Sequence, residues 1–202
     1  MKFLVLLLGV LFILTLFNVG ESFLKRINVK KIYALIFIGL EIISLFLPSF
    51  QMFDINFTIS GFVLPAIISL FFLREIKNKK YLGRIFIAFL SVVLITQLFL
   101  LTKDLYLQSE IVGWLVVSVM VGIISLFICY YPKQAFISLF WGVNIAEIIF
   151  YSTRNFSDFS GLLLGNNTVF FAIISSFLIM LFCYNIYYVI RRRQKRKAFH
   201  IV

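Results

Sequence analysis

Residues 169–190 form an apolar run without a charge. Directly after it stand Arg191, Arg192, Arg193, Gln194, Lys195, Arg196 and Lys197. A run of that length can cross a ~30 Å hydrocarbon layer as one helix. Lipid offers no partner to a free backbone N–H or C=O, so helix is the state such a segment must take there. The cationic block that closes it resists transfer across the layer and stays on one side.

Six further apolar runs precede it, at residues 3–19, 32–47, 57–73, 85–101, 111–131 and 135–151, and the last run counted in full is 168–190. The 202-residue chain is 62% hydrophobic and 13% charged, whereas soluble domains are nearer half apolar and a quarter charged. The surplus apolar surface must face lipid. The expected fold is therefore all-α: a polytopic membrane protein, a bundle of seven transmembrane helices in one domain. A basic tail occupies residues 191–202, and no loop is large enough for a soluble domain.

A net charge of +11 would point to nucleic acid in a soluble protein. Here the cations stand at the ends of apolar runs and carry topology instead, so no nucleic-acid partner is expected. If the runs alternate in direction, 16 of the 19 Lys and Arg fall on one side. Only Lys2, Lys103 and Arg154 fall on the other. The positive-inside rule then places the N-terminus outside and the C-terminus inside. The first run superficially resembles a signal peptide, but Asn18-Val19-Gly20 makes a poor cleavage site. Cleavage would also deliver the basic loop at 20–31 to the outside, so the first run is expected to be retained. Tyr33, Tyr81, Tyr130, Tyr131, Tyr187 and Tyr188 mark the inner boundary, and Tyr106, Trp114 and Tyr151 the outer one, as an aromatic belt does.

Two prolines bear on helix shape. Pro48 ends the second run, and Pro65 is expected to kink the third. The longest loop, 152–167, carries Phe156, Phe159 and three leucines at 162–164. It is expected to lie in the outer interface as an amphipathic turn, or to act as a lid.

Glu41 and Glu147 are the ionisable side chains inside the runs. A charge at the bilayer centre costs at least about 2.5–3.5 kcal/mol, so such groups face the bundle interior or find a partner. Both belong to the outer half of the layer. Asn144 lies one helical turn from Glu147 on the same face, and Thr96, Gln97, Ser60 and Gly61 share that depth. Glu41, Glu147, Asn144 and Gln97 could thus line an outward-facing pocket for a cation, a proton or a small polar ligand. Alternatively Glu147 reaches water, and Glu41 is hydrogen-bonded to Gln97 or Asn144 as interhelical glue.

Enzyme chemistry finds little support. The one histidine, His200, is in the tail, and no aspartate lies within a run. That leaves no Ser–His pair, no metal-ligand set and no intramembrane aspartyl dyad. No catalytic residue, metal or cofactor is expected. Cys129 and Cys183 lie within apolar runs and read as small packing residues. In size and composition the chain is similar to many small bacterial multi-pass proteins, a likeness of class only. The expected setting is a bacterial plasma membrane. There Arg191, Arg192, Arg193, Lys195, Arg196 and Lys197 would meet anionic inner-leaflet lipids, at ~1 kcal/mol per cation near the surface. Two roles fit: a non-enzymatic accessory or structural component acting through other membrane proteins, or a transporter or ligand-binding subunit built on Glu41 and Glu147.

Overall fold

The structure, a computed structural model, describes residues 2–17, 21–26, 28–52, 55–106, 110–154 and 162–199. Helix α1 is Lys2–Leu16, α2 is the short Glu21–Arg26, and α3 is Lys31–Ser44. Strands β1 (Phe50–Met52) and β2 (Ile55–Phe57) follow, then a π-helical turn at Ile59–Val63 that runs into α4, Leu64–Arg74. Helices α5 (Lys79–Tyr106), α6 (Glu110–Cys129) and α7 (Pro132–Arg154) come next. Strand β3 (Leu163–Leu164) precedes the last helix, α8, Asn167–Phe199.

Among the described residues, four stretches are long and apolar enough to cross a membrane: Lys79–Thr102, Val112–Cys129, Pro132–Arg154 and Asn167–Arg191. They point to a membrane-embedded protein. Leu4–Leu16 and Ile59–Arg74 are shorter apolar helices. The side chains turned outward make the same case. Phe127 is 77% exposed, and Phe71, Leu94 and Leu98 are exposed as well. Water would penalise such a surface at roughly 25 cal/mol per Å², and lipid does not.

The four long helices form the main core. Buried Val92, Val121, Leu139, Phe140, Val143 and Ile173 meet in it. Helix α7 is its centre, packed against α4, α5, α6 and α8. It is also the least apolar of the four long helices and the most enclosed. The two properties have one cause, because Gln134, Ser138 and Asn144 are tolerable only where protein rather than hydrocarbon surrounds them. Within this core the helices approach closely at Gly142 and Gly122. A Cβ at Gly142 would come within 2.8 Å of the Val92 Cβ, and one at Gly122 within 2.8 Å of the Ser176 carbonyl oxygen. Ser118 bridges the second seam by donating to the Ala172 carbonyl at 3.1 Å. Small residues at such crossings let van der Waals contact replace the hydrophobic drive that lipid removes.

Helices α1 and α3 form a side pair with a smaller core of Leu4, Leu8, Leu45 and Phe170. With 15 and 14 residues they are only ~21–23 Å long, shorter than the runs at 3–19 and 32–47. Helix α3 stops at Ser44, ahead of Pro48. The residue before a proline avoids the α region, and the chain turns to strand there.

Basic segments gather at one end. Lys31 Nζ donates to the Leu16 carbonyl at 2.9 Å. Lys133 Nζ pairs with Glu75 at 2.7 Å and donates to the Asn28 carbonyl at 3.4 Å. At the opposite end β1 pairs antiparallel with β2, and β2 pairs parallel with β3, Asn56 opposite Leu163. These strands lie outside the all-α expectation. The loop at 152–167 supplies β3 and so closes on the β1–β2 hairpin; Phe156 and Phe159 lie outside the described residues. Aromatic rings run from the hairpin into the core, with Phe57 on Phe62 at 5.0 Å and Phe62 on Phe140 at 5.7 Å.

The kink expected at Pro65 takes a different form. Pro65 sits in the first turn of α4, where its missing N–H is harmless, and the irregularity is the π turn just before it. Thr58 caps that turn. Its hydroxyl accepts from the Gly61 N–H at 3.2 Å and donates to the Gly165 carbonyl at 2.6 Å. The π turn is thereby stitched to the loop before α8.

Candidate functional site

The polar residues singled out in the sequence separate into two groups. Gln97 bridges α5 and α7, whereas Asn144 and Glu147 stand on α7 and bond elsewhere. The Gln97 side-chain amide donates across the α5–α7 seam to the Ala146 carbonyl at 2.5 Å. The Asn144 amide donates back along its own helix to the Phe140 carbonyl at 2.8 Å. Its Oδ1 is buried without a hydrogen-bond partner, as is the Thr96 hydroxyl oxygen on α5. The seam is tight at Gly142, which lies against Val92 and Phe89, and the Gln97 bond crosses it to a backbone group.

Glu147 lies nearer the hairpin end and reaches the start of α8. Its Oε1 accepts from the Asn166 amide at 3.4 Å. Asn166 is the N-cap of α8: its Oδ1 accepts from the backbone N–H of Thr168 at 3.1 Å and of Val169 at 3.0 Å, and from the Thr168 hydroxyl at 2.8 Å. Those N–H groups have no partner within the helix, and a carboxylate next to them is favoured by the helix dipole. Glu147 therefore holds the cap that holds α8. Replacing Asn166 with alanine removes the cap and one donor to Glu147. It is expected to lower the stability of the detergent-solubilised protein by about 2 kcal/mol, read as a lower midpoint in thermal unfolding. Asn166→Ser, which keeps a capping oxygen, should recover most of that loss.

Glu41 belongs elsewhere. It is 1% exposed on α3, and both carboxylate oxygens are buried without a hydrogen-bond partner. The Ser44 hydroxyl, one turn on, donates to the Glu41 backbone carbonyl at 2.9 Å. Ile38 and Leu45 share the Glu41 face of the helix and pack in the smaller core with Leu4, Leu8 and Phe170. The flanking helix of that core is α1. No hydrogen bond joins Glu41 to Gln97 or Asn144, so the interhelical glue expected of these groups connects α5 to α7 and leaves Glu41 out. Among the described residues no three of His, Cys, Asp and Glu gather as a metal site.

At the basic end a cleft of about 500 Å³ opens between α5, the α6–α7 turn and α8. Arg191, at its edge, is the one tail cation whose side chain is described. The side chains of Arg192, Arg193, Lys195, Arg196 and Lys197 lie outside the described residues, although the α8 backbone continues helical to Phe199. Thr58 and Tyr184 were not singled out in the sequence, and Asn166 was given no capping role. An Asn one residue before a helical run is a readable cap signal. The partners of Thr58 at Leu164 and Gly165 come from a distant part of the chain and leave no local trace.

No known protein family matches the chain, and neither a curated protein nor a solved structure is similar to it. What the site can do rests on its own geometry.

Proposed function

We propose that this chain is a non-enzymatic accessory component of a cell membrane, that of a bacterium. It crosses the layer seven times, with its N-terminus outside and its C-terminus inside, and acts through other proteins in the bilayer. One observation carries the reading: the polar groups that could have formed a ligand pocket are used in, or shut into, helix packing. Gln97 ties α5 to α7, Glu147 braces the α8 cap, and Glu41 is enclosed on a different seam. Topology is supported by the gathering of the loops around Asn28, Glu75 and Lys133 at one end, where 16 of 19 cations belong. The tail holds that end to anionic lipid headgroups.

Two measurements test this. A periplasm-active reporter on the N-terminus and a cytosol-fluorescent one on the C-terminus should both give signal; two signals from one compartment would refute seven spans. In proteoliposomes, a proton or monovalent-cation gradient should decay no faster with the protein than without it. A leak abolished by Glu41→Gln or Glu147→Gln would instead establish the transport reading, in which the enclosed carboxyl of Glu41 is the carrier.

A further inference from the structure

Six of the nine tyrosines and two arginines line the cleft at the basic end. An aromatic belt accounts for tyrosines at a membrane boundary, but a belt spreads around a perimeter. These side chains converge from three separate stretches of chain onto one concavity. Helix α8 supplies three of the tyrosines and Arg191, α5 supplies Tyr81 and Arg84, and the turn after α6 supplies Tyr130 and Tyr131.

The cleft is held in shape. The Arg84 guanidinium lies over the Tyr130 ring at 4.9 Å, and Tyr81 meets Tyr131 edge-on at 6.0 Å. Tyr130 adopts φ +63°, a left-handed conformation that costs a bulky residue about 1 kcal/mol or more and that a helix end normally gives to glycine. The strained turn is what swings the Tyr130 ring onto Arg84. Cys129 Sγ, one residue earlier, contacts the Arg84 backbone carbonyl at 3.9 Å and fixes the turn to α5.

The chemistry of the lining is one-sided. Phenol hydroxyls and guanidinium forks donate to oxyanions, and the fork matches a phosphate in two parallel bonds. Among the described residues no carboxylate lines the cleft, and neither Arg84 nor Arg191 pairs with one. Its volume suits a small polar group. Exposed Leu82 and Phe86 on α5, with Ile186 and Ile190 on α8, continue the same two helices as an apolar surface.

We infer that this cleft is a binding site for a phosphate-ester anion, held between Arg84 and Arg191 and walled by tyrosines, and that the apolar flanks select the headgroup of an anionic phospholipid as its source. The site rests on the membrane setting proposed above and not on the orientation, so a failed topology test leaves it standing.

Native mass spectrometry of the full-length protein in neutral detergent tests it, with phosphatidylglycerol, phosphatidylcholine and soluble glycerol phosphate as probes. Phosphatidylglycerol should bind at least about tenfold tighter than phosphatidylcholine, and glycerol phosphate should not displace it at equal concentration. Each of Arg84→Gln and Arg191→Gln should weaken phosphatidylglycerol by about tenfold. The charge-matched pair Lys79→Gln and Lys80→Gln, outside the cleft, should change it less than about threefold. Arg191 is exposed near the end of α8, so its variant remains informative if Arg84→Gln fails to fold. Equal losses from the lysine pair and from Arg191→Gln would reduce the site to diffuse charge and overturn it. Displacement by glycerol phosphate would overturn the lipid source.

Discussion

Gly61→Val is expected to lower the stability of the purified protein by about 3–5 kcal/mol. A Cβ at Gly61 would lie 1.8 Å from the Gly165 carbonyl oxygen and 2.8 Å from its Cα. Those atoms are backbone, so no rotamer change relieves the overlap. Gly165 cannot yield from its side, because it holds φ +71° and its own Cβ position is 2.4 Å from the Gly61 carbonyl carbon. The loop before α8 would have to lift off the π turn. Lifting it breaks the Thr58 N–H bond to the Leu164 carbonyl at 3.1 Å and the Thr58 hydroxyl bond to Gly165. It also disturbs the β2–β3 pairing and the Asn166 cap that follow. Gly9→Ala and Gly83→Ala are the controls: nothing stands within 4 Å of either Cβ position. In these helix interiors alanine should be neutral or add up to about 1 kcal/mol. Thermal unfolding in detergent reads all three. A Gly61→Val protein that melts with the wild type would mean that the two glycine backbones do not touch.

The contrast between Gly61 and the apolar runs explains how much of this fold was legible. Among the described residues four of the seven runs fall in helices long and apolar enough to cross a membrane, and those at 3–19, 32–47 and 57–73 fall largely in shorter helices, because a helix satisfies backbone polar groups residue by residue. The ends were less legible. Hydropathy marks where the apolar layer stops, whereas a helix continues while its own hydrogen bonds hold. Thus α5 begins at Lys79 and ends at Tyr106, well outside the run at 85–101. Pro132, which directly follows the run at 111–131, opens α7, because proline is suited to a first turn and misplaced later. The three-stranded clasp was hidden. Its strands are two or three residues long, and Asn56 and Leu163, which it joins, are far apart in sequence. Leu163 and Leu164 carry the same hydropathy in a strand as in an interfacial turn. At the site, the position of Glu41 and Glu147 within apolar runs was readable, but what each meets depends on which helices are neighbours. The tyrosines were readable as a boundary and not as a cleft, for the same reason.

Glu41→Met is expected to raise stability by about 1–3 kcal/mol, the opposite sign to Gly61→Val. A buried polar group without a partner costs about 1–3 kcal/mol, and replacing buried polar groups by apolar ones of similar volume is often stabilising. Methionine suits the position because it is unbranched, of similar length and adaptable in shape. Ile38 and Leu45, on the same face of α3, pack in the smaller core with Leu4, Leu8 and Phe170. Glu41→Gln keeps the shape and still buries a polar group without a partner, so it should change stability by less than about 1 kcal/mol and serves to separate polarity from packing. Unfolding midpoints of the three proteins in one detergent decide the ranking, with Met above Gln and Gln level with Glu. If methionine destabilises while glutamine does not, a polar contact holds position 41 and the enclosed reading is wrong. If methionine stabilises and the gradient measurements stay flat, the carboxyl burdens the fold without serving transport, as the accessory reading requires. If methionine stabilises and a gradient leak disappears with it, the carboxyl is kept against its own energetic cost for movement of a proton or cation. A single side chain thus discriminates between the two roles that composition and topology leave equal.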